Sequence, residues 1–415
     1  MKIAFIIPSR NNLKYLQCAY NSIRKYVSYQ HEIVLLDDAS TDNTWNWLTE
    51  LKSKDPNVII YRNNGPERVG HTVLYDKGVE LSTTEVFSIF HADMIATPNY
   101  VENLIKNLKE NTVVCATRIE PPLHPGGPEK IVMNFGIEPE EFQYNDYIKF
   151  VTEQESVNKD KTTNGIFAPW LMYKKDFLKI SGHDKRVFAP MELEDSDLFN
   201  RFLLNGYNLV QSRDAFVYHM TCRGSRFKDG VKIEAQIPLN DGSVWHKPQD
   251  SDEYKSLRII KFREWWRKWH MNVLHDELMM PKVCKRYDVG YVIHNSNHQI
   301  INFIEPWSDT IYVDTSNSTI SNYIKEEQKI SHFNIEKRIK SINDEKTNNI
   351  IIEFDARKFK QDHCKFIADL MSIIEDSGEI GQFEYDIFNI TINSIESYEN
   401  KLIDADDSWY LNKLK

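Results

Sequence analysis

Residues 33–51 read IVLLDDASTDNTWNWLTEL, and the order of residue types in that stretch decides the fold class. Ile33–Leu36 is an uninterrupted apolar run, as expected of a strand covered on both faces. It ends in Asp37-Asp38-Ala39-Ser40, and Ser40, Thr41 and Asp42 are all good N-caps for a helix from Thr44 to Leu51. Working outward, the same unit recurs. Ile3–Ile7, Val58–Tyr61, Val86–Phe90 and Val113–Thr117 read as further strands, and Leu13–Val27 reads as a helix between the first two. Alternation of this kind predicts an α/β domain, a mostly parallel sheet with helices on both faces.

The remainder divides by composition. Residues 121–165 begin PPLHPGGPEK and continue polar, which reads as a long excursion over the sheet. A helix begins near Met191, with Leu198, Phe199, Phe202 and Leu203 at helical spacing. Residues 250–282 read as helix and carry Trp265, Trp266 and Trp269. Beyond Asp288 alternation returns: Val289–Ile293, Ile311–Asp314 and Ile350–Phe354 as strands, His363–Ile374 as a helix. The expected organisation is a first α/β domain over 1–230, a helical linker over 231–285, and a smaller C-terminal α/β domain over 286–415. The last shows no glycine-rich cofactor loop. Acceptor binding, oligomerisation and partner docking all stay open for it.

The chain has 415 residues, 41% hydrophobic and 27% charged, which is ordinary for a globular protein. Its 51 basic and 61 acidic residues leave a net charge of −10, which argues against a nucleic-acid partner. Five widely spaced cysteines with no CxxC pair argue against a disulfide framework or a zinc site and fit a reducing, cytoplasmic setting. No apolar run approaches the roughly 18 residues of a membrane span. The tryptophan cluster, interleaved with Lys261, Arg263, Arg267 and Lys268, reads either as a helix-to-domain contact or as a peripheral membrane surface.

Polar residues at the strand ends carry the chemistry. The first strand ends in Pro8-Ser9-Arg10-Asn11, the second in Asp37-Asp38, the fourth in His91-Ala92-Asp93, and a later run, Ala215–Tyr218, in His219. In an open parallel sheet these ends line one ligand crevice. A carboxylate at the place of Asp37-Asp38 can accept from a base N–H or a ribose hydroxyl, or the segment is simply a helix-capping turn. Asp93 is placed either to hold Mg²⁺ or Mn²⁺ against diphosphate oxygens or to cap a helix that starts near Pro98. Glu192, Glu194, Asp195 and Asp197 crowd a helix N-terminus. The dipole there favours anions, and a carboxylate there can also act as general base toward an acceptor hydroxyl. His219 is a candidate metal ligand, and Arg223 and Arg226, in a Gly/Ser loop, are candidates to close over a diphosphate.

Taken in order, PSRNN, LLDDASTDNT, FHADM, ELEDSDLFNRFLLNGY and the later His219 resemble the successive motifs of family 2 glycosyltransferases of the GT-A fold, over about residues 1–225. The resemblance implies that Pro8, Ser9 and Arg10 border the nucleoside and that Asp38 contacts the base. FHADM takes the place of the DXD motif, so Asp93 matches its metal-binding aspartate, with His91 where the first aspartate stands and Ala92 between them. His219 matches the histidine that completes the metal site. Asp195 matches the catalytic base, with Glu194 beside it. Arg68 and His71 fall in a segment that runs near the donor. A divalent cation, Mn²⁺ or Mg²⁺, and a UDP-linked sugar donor are implied in the same way.

The expected reaction is an inverting, metal-dependent transfer from a nucleoside-diphosphate sugar to an acceptor hydroxyl with Asp195 as base. The acceptor stays open between glycan, lipid-linked sugar, protein and modified nucleic acid; Trp170, in NGIFAPW, is either an acceptor-stacking residue or core. A nucleotidyltransferase would want a glycine-rich, lysine-containing loop after the first strand, and PSRNNLKYLQ has no glycine. The alternative is a non-catalytic nucleotide-sugar or glycan-binding module on the same fold.

Overall fold

The computed structural model describes residues 1–224, 226–227, 232–239, 242–316 and 318–397. Ser225 of the arginine loop, and residues 398–415 of the expected C-terminal domain, lie outside the described residues. The chain forms two compact units. The first comprises residues 1–185, 189–257 and 275–281, the second 186–188, 258–274 and 282–415.

The first unit opens with β1 (Ile3–Ser9), α1 (Leu13–Tyr26), β2 (His31–Asp38), α2 (Thr44–Lys54) and β3 (Val58–Asn63). It continues through α3 (His71–Leu81), β4 (Val86–Ile89), β5 (Met94–Ala96), α4 (Tyr100–Ile105) and β6 (Thr112–Glu120). After β7 (Lys130–Val132) come α5 (Tyr144–Asn158), β8 (Thr162–Asn164), β9 (Trp170–Tyr173), α6 (Lys174–Lys179) and a short turn of helix, α7 (Lys185–Phe188), whose residues 186–188 belong to the second unit. Then follow α8 (Glu194–Leu204), β10 (Asn208–His219) and a hairpin of β11 (Ile233–Pro238) and β12 (Val244–Pro248). Helix α9 (Asp252–Trp269) begins in the first unit and ends in the second.

The large sheet runs β3-β2-β1-β4-β9-β6-β10-β5. Strands β1, β2, β3 and β4 are parallel, and so are β6 and β10. Strand β9 lies antiparallel to both β4 and β6, so β4 and β6 point the same way. The C-terminal ends of β1, β2, β4, β6 and β10 therefore share one edge. The order reverses on either side of β1, which opens the crevice of an α/β sheet there. The residues of β1 and β2 that face the two helical layers are apolar and buried, Ile3–Ile7 and Ile33–Leu36, which is why these strands read as continuous apolar runs. Helix α3 lies close on the sheet because Gly78 has no side chain: a Cβ there would stand 2.3 Å from Ile6 Cγ2.

Three sequence expectations change. The excursion over 121–165 contains the 15-residue helix α5, whose Tyr147 and Val151 pack into a second apolar cluster with Phe135, Phe142 and Tyr218. Residues 231–285 are not a helical linker: the β11–β12 hairpin precedes α9, and the helix stops at Trp269 rather than 282. Trp170 lies in β9, fully buried against Phe87, Phe177, Phe199 and Phe202. It is a core residue and cannot stack on an acceptor sugar.

The second unit holds β13 (Val289–His294), α10 (His298–Ile304), β14 (Thr310–Val313), α11 (Ser318–Glu327), α12 (Ile335–Arg338), β15 (Ile339–Ser341), β16 (Ile350–Asp355), α13 (Gln361–Ser377), β17 (Gly381–Tyr385) and β18 (Phe388–Ile392). Its sheet runs β15-β14-β13-β16-β18-β17, parallel from β15 to β16 and antiparallel beyond. The tryptophans of α9 are packed inside it. Trp265 and Trp269 are buried, and Trp266 stacks on Trp307 with ring centroids 4.7 Å apart. The interleaved Lys261, Arg267 and Lys268 are buried too, so this cluster is a packing contact and not a membrane surface. Arg267 pairs with Glu264 at 2.7 Å and Glu305 at 2.6 Å, and also with Glu327, while Arg338 closes on the other oxygen of Glu305. The described residues include no helix long and apolar enough to cross a membrane, and all five cysteines are free.

Candidate active site

A cavity of about 650 Å³ opens at the shared strand edge of the first unit. Pro8, Ser9 and Arg10 reach it from the end of β1, and Asp38 from β2. The turn after β4 contributes His91, Ala92 and Asp93, and β10 contributes His219. Arg68 and His71 border it before and at the start of α3, Glu194 and Asp195 at the start of α8, and Arg223 and Arg226 after β10. The residues assigned from the sequence to donor binding, metal binding and base catalysis line this one cavity, whereas Asn11, Asp37, Asp197 and Trp170 do not.

The two aspartates of β2 are largely committed to the backbone around them. Asp37 is fully buried; it accepts from the Ser40 N–H at 3.1 Å and faces Arg62 at 3.3 Å. Asp38 accepts from the N–H groups of Val69 at 2.9 Å and Gly70 at 2.8 Å, and from Asn63 Nδ2 at 2.9 Å. Gly70 sits at φ +85° against Pro190, whose carbonyl oxygen would lie 2.0 Å from an added Cβ. Asp38 thus ties β2 to the loop that seats the segment leading into α8. The Ser9 hydroxyl is buried and finds no protein partner.

His91, Asp93 and His219 bring one ligand atom each within 4.8 Å of one another. His219 stands between two carboxylates, Nδ1 2.7 Å from Glu120 Oε1 and Nε2 3.4 Å from Asp93 Oδ1. Burial pushes its pKa down, but the charges and hydrogen bonds of Asp93 and Glu120 outweigh that and raise it to about 9. Burial would raise Asp93, and the facing His219 instead holds it below its ordinary value. Burial, with the charge of His219, depresses His91 to about 3, so its imidazole is neutral at any physiological pH. Two imidazoles and a carboxylate, one imidazole backed by a second carboxylate, are a donor set that fits a divalent cation.

Facing this cluster, α8 begins from a strained loop in which Glu192 and Leu193 both have positive φ, 84° and 66°. Such strain in non-glycine residues concentrates at functional sites. The two carboxylates that follow have different surroundings. Glu194 is buried and bound to His71 Nε2 at 2.5 Å. Burial would raise its pKa, and His71 instead holds it down. Asp195 keeps a 44% exposed side chain toward the cavity. Burial of the surrounding site and the charge of Glu194 push its pKa up to about 6. Of the pair, Asp195 is the one free to take a proton.

The arginines are held, not swinging. Arg223 donates to the Ile137 carbonyl, lies over the Tyr15 ring and faces Glu138 at 3.5 Å. Arg226 pairs with Asp250 at 2.8 Å and lies over Tyr254.

Sequence reasoning missed Glu120, His124 and Tyr75. Glu120 had a signal, since it is a polar residue ending the apolar run of β6. His124 lies in the loop beyond β6 and Tyr75 on the buried face of α3, where nothing local marks them.

Residues 4–178, somewhat less than half of the chain, match the model of the family described as glycosyl transferase family 2. An uncharacterized glycosyltransferase of Nostoc sp. is 31% identical over 116 residues, which is 28% of this chain and 35% of that protein. The dolichol-phosphate mannosyltransferase of Pyrococcus furiosus is 30% identical over 113 residues, 27% of this chain and 31% of that protein. The chain thus spans about a third of the length of these curated relatives. Among solved structures, GalNAc-T7 with UDP, GalNAc and Mn²⁺ aligns at a TM-score of 0.41 and 14% identity, over 53% of this chain and 44% of that one. TarS 1-349 of S. aureus aligns at 0.36 and 16% identity, over 53% and 60%. The matched region holds β1 through β9, and its ordered motifs end on the cavity edge of a mixed, mostly parallel sheet. Over residues 4–178 the first unit is thus similar to family 2 of the glycosyltransferases, and its mixed, mostly parallel α/β sheet fits the GT-A fold.

Proposed function

We propose that the first unit moves a glycosyl group from a nucleoside-diphosphate sugar to an acceptor hydroxyl. The observation that carries this reading is the opposition, in one cavity, of the His91–Asp93–His219 cluster and the open carboxylate of Asp195. A divalent cation held by those three residues would neutralise the diphosphate as it leaves; the two imidazoles favour Mn²⁺ over Mg²⁺. The uracil-type base and ribose would lie along Pro8–Arg10 and Asp38. The first unit's Arg223 and Arg226 line the same cavity and add positive charge there.

Asp195 takes the proton of the acceptor hydroxyl as its oxygen forms a bond to the anomeric carbon. The bond from that carbon to the diphosphate oxygen breaks, and its electron pair leaves with the nucleoside diphosphate. A single base on the side away from the leaving group gives inversion, through an oxocarbenium-like transition state. Glu194, locked to His71, supplies the charge that keeps the Asp195 pKa high enough to accept.

The test is thermal stability of the purified protein against UDP, GDP, CDP and their sugars, with and without MnCl₂. A ligand that binds only the folded state raises the melting temperature. Metal-dependent stabilisation by one nucleotide, lost in Asp93→Ala, is the expected result. No stabilisation by any of them at millimolar concentration would overturn the donor-site reading.

A further inference from the structure

A buried imidazole crosses the wall behind Asp195. His183 is fully buried, with its ring between Tyr75, centroids 5.9 Å apart, and Phe177, 5.7 Å apart. Its Nδ1 lies 2.8 Å from Asp76 Oδ1, and its backbone N–H donates to the same oxygen at 3.2 Å. Its Nε2 has no hydrogen-bond partner and lies 3.9 Å from Asp195 Oδ1. An ionised carboxylate only accepts, so the Asp76 contact places the imidazole proton on Nδ1 and leaves a bare lone pair on Nε2. Nε2 and Asp195 are then two acceptors facing one another, and a proton taken up by Asp195 turns them into a donor and an acceptor.

The far end of this chain is not in the active-site cavity. Asp76 lies in α3, and with Lys185, Ser181 and Gly182 it lines a separate groove of about 300 Å³. Gly182 permits the approach, since a Cβ there would meet Asp76 Oδ2 at 2.8 Å. The loop carrying His183 is anchored from behind. Arg201, fully buried, donates to the carbonyls of Ile180 at 2.9 Å and Gly182 at 2.6 Å and is paired with Asp197 at 2.7 Å. So much buried hydrogen bonding around one ring holds it in a single orientation.

We propose that Asp76, His183 and Asp195 form a proton relay from the acceptor site to the outer groove. The inference rests on Asp195 being the base. With an acceptor bound, the open side of Asp195 is covered, whereas the route through His183 stays clear. Asp195, having gained the acceptor proton, rotates to close the 3.9 Å gap and passes it to Nε2. The Nδ1 proton moves to Asp76, which releases it to water in the groove. Asp195 is again a carboxylate, and His183 is neutral with its proton now on Nε2. Once the product leaves and the cavity opens, that proton passes through Asp195 to cavity water while Asp76 returns a proton from the groove to Nδ1, which restores the starting tautomer and balances protons and charges over the cycle. His183 is a positioning residue in this scheme, because it acts only through Asp195.

Two measurements on the full chain test it. The first needs no substrate: nitrogen NMR of protein labelled with ¹⁵N at the histidine rings, with the His183 signals identified by their loss in His183→Phe and, if that variant folds poorly, in His183→Gln. The expected spectrum near neutral pH shows Nδ1 protonated and Nε2 bare. Asp76→Asn should abolish that preference, and Asp195→Asn should shift the Nε2 signal. A proton resident on Nε2, or an Nε2 signal indifferent to Asp195→Asn, overturns the relay. The second measures release of UDP or GDP from UDP-glucose, UDP-N-acetylglucosamine and GDP-mannose with MnCl₂. With any donor that turns over, His183→Phe should lower kcat about a hundredfold with the donor KM within about twofold, and should add nothing in an Asp195→Asn background. An equal loss in both backgrounds overturns the relay. Full turnover in Asp195→Asn itself would instead overturn the base, and the ring spectrum separates the two failures.

Discussion

Nδ1 of His219 lies 2.7 Å from Oε1 of the buried Glu120, and this contact aims the other ring nitrogen at Asp93. The ring's orientation is set by a residue from the neighbouring parallel strand. Glu120 is in turn surrounded by Arg118 at 3.2 Å and Lys130 at 2.9 Å. Burial would raise its pKa, and those charges hold it well below the ordinary range. A carboxylate behind a metal-binding imidazole fixes its tautomer and strengthens it as a ligand.

Glu120→Gln is therefore expected to weaken Mn²⁺ binding by about 10- to 100-fold, alongside a loss of stability because Arg118 and Lys130 lose their buried counter-charge. Isothermal titration of the purified protein with MnCl₂ measures it. Unchanged affinity would mean that His219 does not hold the ion.

Asp195→Asn should lower kcat by about 10²- to 10⁴-fold, as for loss of a general base, with nucleotide stabilisation of the melting temperature preserved. Equal loss of both would remove Asp195 from the role of base and make it a binding residue.

The pH profile follows from the same group. The base must be ionised to accept a proton, and burial with the charge of Glu194 raises the Asp195 pKa to about 6. Below that value the carboxyl is protonated, so kcat/KM should fall about tenfold per pH unit on the acid side. His71→Gln removes a cation that lowers the pKa of Asp195, and the acid limb should move to higher pH. A limb that stays at the ordinary carboxylate range, near 4, would contradict this assignment.

Trp170→Ala should cost about 3–5 kcal/mol of stability, the range for deleting a large buried aromatic, read by denaturant unfolding. Trp170→Phe should keep activity once folded. A selective rise in acceptor KM without loss of stability would contradict its place in the core.

In the second unit, Glu305 accepts from both Arg267 and Arg338 and all three are fully buried. Glu305→Gln leaves two buried cations short of a counter-charge and should cost about 3–5 kcal/mol. Unfolding followed by tryptophan fluorescence, with Trp265, Trp266, Trp269 and Trp307 in that unit, is the readout.

The sequence alone determined the α/β class, the strands β1, β2, β3, β4, β6, β10, β13, β14 and β16, and the residues at their ends. Those signals are local: an apolar run covered on both faces reads as such, and a polar residue that ends it, such as Asp38, Asp93 or His219, is visible beside it. The same local logic left two readings open where burial is decided by distant partners. Trp170 stands in an apolar run in either reading, and only its packing against Phe199 and Phe202 of α8 makes it core. The charged residues around Trp265 fit either a packing contact or an open surface, and only Glu305 and Glu327, far along the chain, neutralise Arg267 and let it go inside. Tertiary structure alone decided which of two adjacent carboxylates is free, because His71 on another helix takes Glu194 and leaves Asp195. It alone joined Asp76, His183 and Asp195, 119 positions apart from first to last, since a hydrogen-bond chain across the wall of a cavity has no periodicity that a sequence can display.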